Sequence, residues 1–194
     1  MQARQEELGD LKLYRIPEPV TVAARSQKQV ALMQQPRVTF RTVYRQRFFP
    51  VGQVMQAQAS RIFVTRNRRE EGLGLPLPAG RLALFDEAGG RRTLVGQSVI
   101  RDFALNEEVE FDFGVVPGIV SVQTPVVVAK TRTDYEVVVT NDRPRPIAYE
   151  LEIGVQPAQV QSAMRLGRRN GMALWTTTIP ANGRATLRYR IVAP

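Results

Sequence analysis

The chain has 194 residues, 43% of them hydrophobic, and 27 basic against 18 acidic residues give a formal net charge of +9. Cysteine and histidine are both absent, which excludes disulfide frameworks, cysteine-based zinc sites, thiol nucleophiles, Ser-His-Asp triads and histidine acid-base chemistry, and leaves carboxylates, Lys and Tyr as catalytic side chains. No apolar run approaches the roughly 20 residues that cross a bilayer, and residues 1–13 are too polar for a signal peptide.

Many Val, Thr, Ile, Phe and Tyr residues, punctuated by 14 Gly and 13 Pro, predict an all-β chain. Residues 1–10 read as a polar tail. Strands are predicted at 11–16, 20–23, 27–33, 38–48, 58–67, 81–86, 93–98 and 107–113, with Gly89-Gly90 as a hairpin turn between two of them. A boundary is placed at residues 114–118, which hold Gly114, Pro117 and Gly118. Further strands follow at 119–129, 133–141, 147–155, 173–179 and 184–192. Residues 156–172 read as a long loop with at most one helical turn, within 158–165. The predicted architecture is an antiparallel β-sandwich in two immunoglobulin-like or related lobes, 11–114 and 115–194.

Alternation assigns faces where it is clean. Ile147, Tyr149, Leu151 and Ile153 point to a core, with Glu150 and Glu152 on the wet side. Ala185, Leu187, Tyr189 and Ile191 likewise oppose Arg184, Arg188 and Arg190, and Phe40, Thr42 and Tyr44 oppose Arg41, Val43, Arg45 and Arg47. Of the 27 basic residues, 24 are Arg, and much of that surplus is expected on solvated strand faces. A basic field attracts nucleic acid, anionic lipid or acidic polysaccharide, and says nothing about fold.

Two local features organise the rest. Gly72-Leu73-Gly74-Leu75-Pro76-Leu77-Pro78-Ala79-Gly80 forbids helix and central strand. Its three leucines predict an ordered segment pinned against a core. It lacks the strand-to-helix context and the glycine spacing of a phosphate loop. An internal echo aligns the turn at Ala23-Ala24-Arg25-Ser26 with that at Pro180-Ala181-Asn182-Gly183, each between two strand-like runs.

Three segments together carry a resemblance: residues 11–22 with 27–32; Asn67 with residues 72–80; and residues 179–187. On them the chain resembles, over nearly its whole length, the bacterial family called domain of unknown function 4139, which also forms the C-terminal part of mucoidy-inhibitor-like proteins. The resemblance implies a fragment of a longer, exported cell-envelope protein, periplasmic or otherwise in the envelope. No reaction or catalytic residue is established for the family, so no functional residue is carried over. The 156–172 loop is longer and more basic than the family pattern leads one to expect.

Candidate sites are few. Glu108, Glu110 and Asp112 share one strand face about 7 Å apart, a spacing open to a divalent cation or an acid and base pair. The plainer reading is an acidic ladder facing Arg-rich strands. Arg66, Arg68 and Arg69, ahead of the Pro/Gly segment, and Arg165, Arg168 and Arg169, in the long loop, form two candidate anion-binding groups. Neither contains an aromatic residue for base stacking, which disfavours nucleic acid. Trp175 reads as a core anchor. No cofactor and no metal site are predicted. The expected function is that of a non-catalytic module contacting a protein or an envelope glycan. An anionic-polymer binder and a carboxylate-dependent glycan hydrolase remain as alternatives.

Overall fold

The computed structural model describes residues 4–8, 11–15, 21–27 and 34–192. The strand reading at 20–23 is not met, since residues 21–23 form no strand, and the reading at 27–33 lies outside the described residues apart from Gln27. Among the described residues there are thirteen strands: β1 (Arg4–Leu8), β2 (Leu11–Arg15), β3 (Arg41–Phe48), β4 (Met55–Arg66), β5 (Gly80–Ala88), β6 (Arg91–Ile100), β7 (Glu108–Ala129), β8 (Arg132–Asn141), β9 (Ile147–Ile153), β10 (Val160–Gln161), β11 (Gly167–Arg169), β12 (Met172–Ile179) and β13 (Gly183–Val192). The protein is all-β and sandwich-like. One nine-stranded sheet runs β10-β13-β8-β7-β4-β3-β9-β12-β11, and β1-β2 and β5-β6 form two-stranded sheets. Every pairing is antiparallel except β3 with β9.

The large sheet curls back on itself. Ser121 of β7 and Tyr149 of β9 stand three places apart in the strand order, yet their hydroxyls meet at 2.6 Å across the interior. Between the flanks lies one apolar cluster that includes Tyr44, Phe48, Ile119, Val137, Tyr149, Leu151, Ile153, Trp175, Ile179 and Leu187. Area removed from water is the main stabilising term for such a core. Trp175 is buried there, edge-on to Tyr149 with ring centroids 6.1 Å apart. The inward residues of β9 and β13 are those that alternation selects.

Residues 72–80 are ordered and partly buried. Leu77 bridges Phe103 through a reciprocal pair of backbone hydrogen bonds, at 3.0 and 2.9 Å. Leu77, Phe103 and Val109 form a second small core, with Leu73, Ile100 and Phe111 against it. Asn67, itself buried, clasps the segment. Its side-chain amide donates to the carbonyls of Leu75 (2.8 Å) and Ala104 (2.9 Å), and its side-chain oxygen accepts from the Gly74 amide (2.9 Å). Asn141 is used the same way at the end of β8, donating to Arg145 and Pro180 carbonyls and accepting from the Arg143 amide.

The two echoing turns share their geometry. Arg25 and Asn182 occupy equivalent positions and both have positive φ, 58° and 48°. The following amides, of Ser26 and Gly183, return to the carbonyls of Ala23 and Pro180 at 3.1 and 3.2 Å. Gly89 and Gly90 close β5-β6 with positive φ at both positions, the type I′ pattern that matches strand twist.

Three further segments differ from the sequence reading. Arg4–Leu8, read as part of a polar tail, pairs with Leu11–Arg15. Residues 114–118, read as a boundary, lie inside β7, where Gly114 and Gly118 adopt positive φ and the chain bends without leaving the sheet. The 156–172 loop contains a 3-10 turn at Pro157–Gln159 and the short strands β10 and β11. Strands of two or three residues carry no period for a sequence reading to detect.

Candidate functional site

The most concentrated chemistry lies on the sheet face opposite the main core, where β7, β3, β9 and β11 present charged side chains. In β3 the alternation that sends Tyr44 and Phe48 inward sends Arg45 and Arg47 outward. The parallel register then sets Arg45 against Glu150 and Arg47 against Glu152. Arg45 donates to Glu150 through Nε at 2.9 Å and Nη2 at 2.7 Å, and grips both oxygens of Glu110 at 2.8 Å each. Arg47 donates from Nε to Glu152 at 2.7 Å, and Arg41 lies 3.4 Å from Glu150.

The β11–β12 hairpin turns at Asn170-Gly171, again with positive φ at both residues, and brings Arg169 over this face. Arg169 meets Glu108 at 3.2 Å, Glu110 at 2.5 Å and Glu152 at 3.5 Å. Four guanidinium groups and four carboxylates thus form one charge-balanced network across four strands. Glu150 and Glu152, expected on a wet face, are only 4% and 1% exposed. The arginines that bury them come from more than a hundred residues earlier in the chain and from β11, which is why alternation alone does not reveal it.

The electrostatics follow from this packing. Burial alone would push the Glu110 carboxyl up, but the hydrogen bonds and charge of Arg45, then of Arg169, hold it below the ordinary carboxylate range. Burial would lower the Arg45 guanidinium, yet Glu110 and Glu150 raise it above its usual value. An acid that delivers a proton near neutral pH needs a raised pKa, and Glu110 moves the other way. The phenol of Tyr149 is pushed up by burial, partly offset by Ser121, and stays protonated in the core. Beside the network lies an open cleft of about 840 Å³, lined among others by Arg45, Arg47, Ser98, Glu110, Asp112 and Glu152. Its floor is the network itself.

The six arginines of the sequence reading separate. Arg169 is consumed by the network. Arg66, Arg68, Arg69, Arg165 and Arg168 are exposed and form no ion pair among the described residues. Arg66 stands opposite Glu108 in the β4-β7 register and lines one cleft, Arg168 lines a second with Leu166 and Pro157, and Arg169 lines a third with Glu107 and Glu108. Of the acidic ladder, Glu108 and Glu110 are paired by arginine, and Asp112 accepts from the Gly114 amide at 2.7 Å. Sequence reasoning found Arg169, Glu108 and Glu110 but missed Arg45, Glu150 and Glu152, which hold the network together. Their signal was present as Arg and Glu on strands that alternation had already assigned.

No group of three or more acidic side chains is arranged to hold a metal ion among the described residues. Nor is any helix among them long and apolar enough to cross a membrane. Fold and site together define a sandwich-like β protein with a neutral ionic network on one outer face. In comparisons with family models, curated proteins and solved structures, the chain matches none of them.

Proposed function

We propose that the chain is a non-catalytic β-sandwich module of a larger bacterial cell-envelope protein, working through contact with a protein or an envelope glycan. One observation carries the reading. Glu110 and Glu152, two of the three carboxylates that line the cleft beside the network, are clamped by arginine, so these side chains are occupied in holding strands together. A retaining or inverting glycosidase needs a free carboxylic acid opposite a second carboxylate, and the depressed Glu110 does not supply one.

The envelope assignment rests on the resemblance to domain of unknown function 4139. It is supported by the way Asn67 and residues 72–80, the most specific part of that resemblance, form one structural unit. Export to the periplasm or envelope belongs to the same proposal.

Hydrolysis assays on envelope glycans, run with the wild-type chain and Glu110→Gln, test the reading. No turnover by either is the expected result. Turnover that Glu110→Gln abolishes while the fold persists would refute it.

A second reading, binding of an anionic polymer, is favoured by the five exposed arginines that stay outside the network. Titration with acidic polysaccharide, DNA and RNA at two salt concentrations decides it, because binding to a polyanion weakens steeply as salt rises.

A further inference from the structure

The nine-stranded sheet ends on β10 and β11, strands of two and three residues, and edges that short offer little to an incoming strand. The β5-β6 hairpin is built differently. Among the described residues it pairs with no further strand, and β5 runs for nine residues, Gly80–Ala88. Its partner β6 leans on the body of the protein, with Gly96 against the Phe113 ring. The outer edge of β5 is left open. Proline and lysine, which commonly blunt such an edge, are absent from it, and the extra residue of the hairpin's bulge, Val95, belongs to β6.

The turn fixes which backbone groups are free. Gly89-Gly90 is a two-residue turn closed by Ala88 and Arg91, so the Ala88 backbone faces β6. Alternating back along the strand, the N–H and C=O groups of Glu87, Phe85, Ala83 and Arg81 face outward. The side chains of those four are exposed, whereas Leu82 and Leu84 on the opposite face are half-buried. Charge is segregated along the strand, with Arg81 at its start and Asp86 and Glu87 near its end. Among the described residues Arg81 and Asp86 form no ion pair, and Glu87 has a loose one with Arg92, 3.8 Å apart with both side chains largely exposed.

A strand with that charge order is complementary to itself run backwards. Outward groups must meet outward groups, so an antiparallel copy shifts only by two residues at a time. The alignment centred on Leu84 uses the whole strand. It sets Arg81 opposite the second copy's Glu87 and Ala83 opposite its Phe85, and symmetry repeats both contacts. A slide of two residues either way sets a charge against Phe85 or Ala83 instead, and parallel pairing brings like charges together.

We infer that β5 is a homodimer contact, in which a second copy of the chain pairs antiparallel with it about a twofold axis through Leu84 and makes one four-stranded sheet, β6-β5-β5-β6. Such a sheet relieves the weakness of a hairpin standing alone. Glu87 then lies between Arg92 of its own hairpin and Arg81 of the second copy. The pairing stands on the geometry and charge of β5 and needs nothing from the envelope reading.

Analytical ultracentrifugation of the full chain, from low micromolar concentration upward, tests it. The wild-type chain should pass reversibly from monomer to dimer. Arg81→Glu and Glu87→Arg, each with an unchanged melting temperature in dilute solution, should each weaken dimerisation by about tenfold or more, since like charges then stand opposite each other at two places. The double variant should regain it, and an equimolar mixture of the two single variants should form the mixed dimer. Ala83→Pro removes an outward N–H, leaves the β5-β6 hydrogen bonds in place and should block the pairing. A chain that stays monomeric at every concentration overturns the proposal and leaves the edge to a strand of another protein. A dimer indifferent to Ala83→Pro overturns it by placing the contact on another face, and charge reversals without effect overturn the antiparallel alignment on which it rests.

Discussion

Arg45 and Glu150 face each other across the parallel β3–β9 pair, the only parallel one among the described residues, joined by hydrogen bonds of 2.7 and 2.9 Å, while the same guanidinium holds Glu110 of β7 by two more. One side chain thereby ties three strands, and its own exposure is only 12%. A parallel pair is slightly less stable per residue than an antiparallel one, so a charge clamp at this junction reinforces a pairing whose backbone ladder gives less.

Removing the clamp should cost more than an exposed ion pair would. Arg45→Met takes a shared partner from the buried Glu150 and the partly buried Glu110, and chemical denaturation should show a loss of about 3 kcal/mol. Adding Glu150→Leu should recover much of that loss, since an apolar pair of similar volume tolerates burial that a lone charge does not.

Acid should release the same network. A carboxyl whose folded pKa lies below its unfolded value contributes stability that is fully present above the unfolded value and is lost as pH falls through the folded one. Glu110 is such a group. Unfolding midpoints should therefore stay flat above about pH 5 and decline below about pH 4. Glu110→Gln should shallow that decline.

The Asn67 clasp should set the order of residues 72–80. Asn67→Ala removes three hydrogen bonds from a buried position and should cost about 2–4 kcal/mol. In hydrogen exchange, the Gly74 amide, which the Asn67 side chain protects at 2.9 Å, should lose more protection than amides of β8.

Gly72 and Gly52 make a controlled pair. Both have positive φ, 87° and 70°, but a Cβ at Gly72 would stand 1.8 Å from the Arg37 carbonyl oxygen, whereas one at Gly52 meets nothing within 4 Å. Gly52→Ala should cost about 1 kcal/mol through the backbone alone. Gly72→Ala should cost visibly more, about 2–3 kcal/mol, because backbone must also move.

Much of this fold was legible in the sequence because strand period and turn residues are local signals. Ile147, Tyr149, Leu151 and Ile153 alternate into the core, Gly89-Gly90 turns a hairpin, and the leucines at 73 and 77 pin a segment that proline keeps out of regular structure. Local signals failed where burial is set by distant chain. Glu150 and Glu152 have the sequence signature of a wet face and are buried, since the register of β3 and the turn at Asn170-Gly171 lay arginines over them. Gly114 and Gly118 have the signature of a boundary and act as bends, because β4 pairs with β7 on both sides of them. The candidate site was half legible for the same reason. The acidic ladder and Arg169 could be named, but their meeting could not.

The most direct test of the account is the unfolding free energy of Glu110→Gln at neutral pH. A structural network predicts a loss of about 1–3 kcal/mol, since Arg45 and Arg169 would face an amide where they now face a carboxylate. A gain in stability would contradict it, because relief on neutralising a carboxylate is the mark of a site held strained for function.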